Sequence, residues 1–167
     1  DFSGDSDYSN MEEKSRHNNR RTKVPPKKPA VDAELVHQFV NDAHGDFDSV
    51  KKLIKKEPAL ANASWDWGGG DWETGLGAAA HMGRKDIAEH LLQRGARLDL
   101  FAAAMLGKLD IVQAIVADDS SVIDEAGPHG ISLMTHAKKG GKEAAEVVKL
   151  LQSVGNPAKA AGGKPKA

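Results

Sequence analysis

The segment Trp65-Asp66-Trp67-Gly68-Gly69-Gly70-Asp71-Trp72-Glu73 gathers all three tryptophans of the chain and three carboxylates within nine residues. Large aromatics this dense on a glycine-rich loop do one of three things. They pack against neighbouring elements, they anchor a protein partner by burying much area at low entropic cost, or they stack on a sugar ring. All three readings stay open at this point. Asp66, Asp71 and Glu73 are hard oxygen ligands suited to a cation such as Ca²⁺, but the alternating D-x-D-x-D-G pattern of a calcium loop is missing. They read more simply as carboxylates that solvate the loop and favour the start of a helix after Thr74. Gly68-Gly69-Gly70 lacks the lysine that completes a phosphate cradle, and reads as the tip of a turn.

The histidines outside the N-terminal segment are His37, His44, His81, His90, His129 and His136. None forms an H-E-x-x-H or similar metal-ligand spacing. His129 and His136 lie seven apart across a helix start, with no carboxylate at ligand spacing beside them, so the expectation is no metal and no cofactor. Ser132, flanked by those histidines and preceded by Asp124, supplies the residue types of nucleophilic catalysis. No G-x-S-x-G accompanies it, and Ser132 also stands where a helix N-cap belongs. The expectation is therefore a chain without catalytic residues. The alternative is a small-ligand or glycan binder, or a hydrolase, built on the loop 65–73.

These residues must be positioned by helices, because the periodicity of the chain is helical and recurs in pairs. Leu35, Val36, Phe39, Val40 and Ala43 share one helical face, and Val50, Leu53 and Ile54 share another. Asp32 and Asp46 precede these runs as N-cap candidates, and Gly45 separates them. Gly83 then divides Leu76–Met82 from Ile87–Leu92, Gly107 divides Phe101–Leu106 from Ile111–Val116, and Gly140-Gly141 divides Ser132–Lys139 from Ala144–Leu151. A helical hairpin of this length cannot bury both of its helices alone, whereas stacked hairpins share one core. The runs Gly77-Ala78-Ala79-Ala80 and Ala102-Ala103-Ala104 favour helix and let neighbours approach closely. They are too short for a membrane interface. Lys51, Lys52, Lys55 and Lys56 line one flank of the second helix as its solvated face.

Thr74-Gly75-Leu76-Gly77-Ala78-Ala79-Ala80-His81-Met82-Gly83 resembles the T-P-L-H-x-A-A-x-x-G of the ankyrin repeat, and Asp86–Ala96 resembles its I-V-x-x-L-L-x-x-G-A end. Gly130–Ala137 with Val147–Leu151, and Ala102–Val112, are further matches, and Asp32–Asn62 resembles a divergent N-terminal cap. The resemblance covers about residues 31–156. It departs from the family where Gly75 replaces proline and where Gly77 and Thr135 replace the histidine that ties neighbouring turns. The dividing glycines are spaced 38, 24 and 34 residues apart, against about 33 for the family. The short interval leaves no room for a β-hairpin finger at Gly95–Asp99, so long fingers are expected only at about 60–73 and 118–131. The resemblance implies an all-α, right-handed ankyrin-type helical-hairpin solenoid with short or missing β-hairpin fingers. Its units are expected at about 31–72, 73–98, 99–129 and 130–156. It further implies a concave face that binds a protein, with Trp65, Asp66, Trp67, Asp71, Trp72, His81, Met105 and His129 as partner-binding candidates.

Composition narrows the partner. Hydrophobic residues make up 40% of the chain and charged residues 28%, with no cysteine, which excludes disulfides and thiolate chemistry. Residues 1–29 carry 7 basic and 5 acidic side chains, residues 158–167 three lysines, and residues 30–157 hold 13 basic against 19 acidic. An acidic body disfavours nucleic acid and suits a basic protein. The segment 1–30 is read as a disordered polar and basic tail, and 157–167 as a flexible C-terminal tail. No stretch reaches the ~18 apolar residues of a membrane span. The expectation is a soluble monomer, cytoplasmic or exported after loss of a signal not carried by this chain.

Overall fold

The computed structural model describes residues 27–155, and among them the chain is mostly helical, with eight α-helices and one two-stranded antiparallel sheet. The tail expected at 157–167 lies outside the described residues, as does that at 1–30 except for residues 27–30, which are exposed and carry no regular secondary structure. The helices are α1 (Ala33–Asp42), α2 (Phe47–Lys56), α3 (Gly75–Met82), α4 (Lys85–Gln93), α5 (Leu100–Met105), α6 (Leu109–Asp118), α7 (Leu133–Lys139) and α8 (Ala145–Gly155). The strands β1 (Ser64–Asp66) and β2 (Trp72–Thr74) form a hairpin between α2 and α3. Short 3-10 turns occupy Pro58–Asn62, Ser120–Asp124, Pro128–Gly130 and Gly141–Ala144.

Odd-numbered helices start where a short polar side chain satisfies an orphan amide of the first turn. Asp32 accepts from the Leu35 amide at 3.0 Å, Thr74 from Gly77 at 3.0 Å, Asp99 from Ala102 at 2.8 Å and Ser132 from Thr135 at 3.2 Å. Asp46 caps α2 in the same way, through Ser49 at 2.9 Å. Helices α4 and α6 have no side-chain cap and start directly out of a tight bend. At Gly83 and Gly107 the backbone is left-handed, φ +70° and +67°, which glycine adopts without penalty. The bonding around the two is the same. Arg84 N–H donates to Ala79 O and Lys108 N–H to Ala103 O, at 2.8 and 2.9 Å, and the next amide in each donates back to the glycine carbonyl.

Each odd helix packs on the even helix that follows it, and α1, α3, α5 and α7 touch in that order. Helix α7 also touches α3, so α3, α5 and α7 gather as a cluster and not as a strictly linear file. Helix α5 sits where two apolar clusters meet. Ala102 and Met105 belong to the cluster built from α1 to α4, and Ala103 and Ala104 to that of α6, α7 and α8. All four are essentially fully buried, and the three alanines are small enough to leave room for helices on both sides of a six-residue helix. Met105, expected at a binding face, is therefore core: at 1% exposure it has no area to offer a partner.

The bend between α7 and α8 is packed onto the end of α5. A methyl group at Gly140 would overlap the Met105 carbonyl oxygen and crowd the Ala144 side chain, although the Gly140 backbone itself is ordinary helix, φ −72°. Gly140→Ala is expected to lower unfolding stability by about 1–3 kcal/mol in urea titrations through overpacking alone. A second expectation concerns α4. His90 meets the Phe47 ring of α2 edge-on at 5.4 Å. Burial, with the charges of Arg94 and Lys51, holds its pKa below the ordinary histidine value. The folded state thus prefers the neutral ring, so this contribution is complete above about pH 6.5 and is lost as pH falls through the lower folded value. Urea midpoints should drop over that interval, and His90→Gln should remove that part of the slope.

Candidate functional site

The loop that holds the tryptophans is the β1–β2 hairpin, and strand alternation sorts its side chains. The register pairs Trp65 with Glu73 and Asp66 with Trp72. Directly paired residues share a face and neighbours along a strand take opposite ones. Glu73 is accordingly buried at 1% exposure while the adjacent Trp72 is 61% exposed. Trp65, half-buried, lies tilted on the His37 ring at 4.7 Å between centroids. At the tip, Gly68, Gly69 and Gly70 all have positive φ. The Asp66 carboxylate accepts from the amides of Gly68 and Gly70 at 2.9 and 3.1 Å, so Asp66 holds the turn together.

Glu73 is the centre of the arrangement. The Trp67 indole Nε1 donates to its Oε2 at 2.7 Å. Three imidazole Nε2 atoms stand around the same carboxylate: His44 at 3.4 Å and His129 at 3.3 Å from Oε2, and His81 at 2.9 Å from Oε1. They come from separate elements: His44 just beyond α1, His81 in the last turn of α3, and His129 in the turn before α7. The rings contact one another, with centroids of His44 and His81 at 4.9 Å and of His81 and His129 at 5.3 Å.

The outer nitrogens of two of these rings are tied down. His44 Nδ1 lies 3.1 and 3.0 Å from the carbonyl oxygens of Val40 and Asn41. A carbonyl cannot donate, so Nδ1 carries the hydrogen. His129 Nδ1 lies 2.7 Å from Asp71 Oδ2, and the His129 main-chain amide donates to Asp71 Oδ1 at 2.8 Å. This clamp holds His129 at φ 59°, a left-handed conformation that is uncommon outside glycine. The His129 amide bond, ahead of its ring, holds the Asp71 pKa below the ordinary aspartate value against a smaller opposing effect of burial. For Glu73, burial alone would raise the pKa. The nearby His81 nitrogen, the Trp67 indole and the His44 and His81 rings outweigh it and hold the carboxyl below the ordinary glutamate value.

A methyl group at Gly77 would make ordinary contact with Glu73 Cγ and Pro128 Cγ, at 3.5 Å. One at Gly75 would come within 2.6 Å of the Phe39 ring, which packs there from α1. The cluster of Glu73 with three histidines escapes a reading based on local spacing, because His44, Glu73, His81 and His129 are 29, 8 and 48 residues apart. No carboxylate at ligand spacing in the sequence was expected beside His129 and His136; in space Glu73 lies beside His129, together with His44 and His81. Of the residues singled out as partner contacts, His81 is buried at 8% exposure, and Trp67 and Asp71 are engaged with Glu73 and His129. Trp72 remains freely exposed, and His129 keeps an exposed edge.

Chemically, a buried carboxylate ringed by imidazoles can hold a proton or share a cation among several donors. The serine considered for nucleophilic chemistry is arranged otherwise: Ser132 Oγ bonds Thr135 Oγ1 at 2.9 Å, and His136 Nδ1 faces the Ser132 carbonyl oxygen at 2.9 Å, not its hydroxyl. In comparison with known proteins, no family model matches the chain and no curated protein matches it significantly.

The two faces of the hairpin predict opposite responses to similar substitutions. Trp67→Phe deletes a donor to a buried charged acceptor and is expected to lower stability by about 1.5–3 kcal/mol. Trp72→Phe, on the open face, should stay within about 0.5 kcal/mol of the wild type in the same denaturation experiment.

Proposed function

We propose that residues 31–156 form an ankyrin-type stack of four helical pairs, gathered together at its C-terminal end, that works by binding a protein partner and not by catalysis. Three features support the family reading: the T-G-L-G-A-A-A-H-M-G run, the matching bends at Gly83 and Gly107, and the serial packing of the odd-numbered helices. The binding reading is carried by one observation, the 61% exposure of Trp72 on a hairpin whose opposite face is anchored at Glu73. A tryptophan held on a pinned element loses little further freedom on binding, which is what makes such side chains strong interface anchors.

The partner surface is narrower than the sequence implies. Trp72 is its anchor, while Met105 and His81 drop out as buried residues. The excess of acidic over basic side chains in residues 30–157 favours a partner with a basic rim, with association that slows as salt rises.

The test is a quantitative binding comparison of the wild type with Trp72→Ala, using whichever proteins the immobilised wild type retains. Loss of an anchor residue should weaken a genuine partner by about 2 kcal/mol or more, roughly 30-fold. Partners retained equally by both forms would remove the hairpin from the interface.

A further inference from the structure

We infer that His44, Glu73, His81 and His129 form a binding site for a divalent transition-metal ion of the zinc class. This inference is independent of whether Trp72 contacts a partner. One ligand atom from each of the four residues can be chosen so that all lie within 4.8 Å of one another. The three Nε2 atoms stand 2.9–3.4 Å from the nearer Glu73 oxygen. A tetrahedron of ligands at the ~2.0–2.1 Å typical of zinc bonds to nitrogen and oxygen has edges of about 3.3 Å, so the nitrogen-to-carboxylate edges already match and the rings need only draw together from within 4.8 Å.

A second observation points the same way. Glu73 Oε1 and His81 Nε2 are both buried and both lack a hydrogen-bond partner, although they lie 2.9 Å apart, because their contact is off the N–H direction. Unpaired polar atoms are costly inside a protein, and a pair of them facing each other requires an explanation. The fixed tautomers sharpen it. With its hydrogen on Nδ1, neutral His44 turns the Nε2 lone pair toward a carboxylate oxygen, and His129, donating from Nδ1 to Asp71, does the same. A divalent ion satisfies all four donors together.

The surroundings are those that metal-binding histidines require. Asp71 behind His129 and the Val40 and Asn41 carbonyls behind His44 orient the rings and raise their basicity. Nitrogen and carboxylate donors without thiolate suit zinc and its neighbours over calcium or magnesium. Four protein ligands fill a tetrahedron, the closed arrangement of a structural ion. An ion there would tie α1, the hairpin, α3 and the turn at Pro128–Gly130 to one point.

The experiment uses the untagged full chain, stripped with a chelator and dialysed, and Zn²⁺ alone as titrant in calorimetry. One equivalent is expected to bind with a Kd below micromolar and to raise the Tm. Co²⁺ in its place should give the intense visible absorption of a tetrahedral ion. His129→Gln and His44→Gln, both at the solvent edge of the cluster, should each weaken Zn²⁺ at least about 100-fold with circular dichroism unchanged. Asp71→Asn, which removes no ligand, should weaken it about 10- to 100-fold. His90→Gln should bind as the wild type does. If either edge variant unfolds, the other decides. No stoichiometric binding by the wild type, or binding unchanged in the folded edge variants, would overturn the site.

Discussion

A carboxylate taken out of water must be compensated on the spot, because an isolated buried charge costs far more than a folded domain has to spare. Glu73 is such a group, and the architecture around it follows from that requirement. The β1–β2 register turns it inward, the indole of Trp67 reaches it from the same hairpin, and imidazoles arrive from α1, α3 and the turn before α7. The hairpin has only three residues per strand, too few to persist alone in water. Its position is set by what Glu73 finds on the helices, and the exposed face carrying Trp72 inherits that position.

The helices supply a frame with enough precision for this. Alanines from Ala78 to Ala80 and from Ala102 to Ala104 allow close approach, and α5 joins two apolar clusters, through Ala102 and Met105 on one side and Ala103 and Ala104 on the other. The contact of α7 with α3 as well as α5 brings Pro128, ahead of α7, beside Gly77 of α3. His129 and His81 meet for that reason. An evenly spaced, linear file of pairs gives no such contact between α3 and α7.

Much of the frame was legible in the residues. Asp32, Asp46 and Ser132 cap helices as their types and positions suggested, and the glycines at 83, 107 and 141 take a left-handed bend between the helices of the last three pairs. Gly68 to Gly70 form a turn tip. What escaped depends on distance along the chain or on direction in space. Alternation in β2 decides that Trp72 faces out and Glu73 in, and the partner strand had to be known before that could be read. Asp66, read as a solvating loop carboxylate and a partner contact, is a turn-former, a role for which glycines two and four residues later were a usable sign. Met105 looked like surface because its packing into the apolar cluster of α1 to α4 has no local signature.

Hydrogen exchange at single amides tests the dependence on Glu73 most directly. The Trp67 amide bonds within the hairpin, to Asp71 O at 3.0 Å, and the His129 amide bonds Asp71 from another part of the chain. If one buried carboxylate holds these segments in place, Glu73→Gln makes both amides exchange faster together while the amides of α6 and α8 keep their protection. Undiminished protection at Trp67 and His129 in that variant would contradict the account.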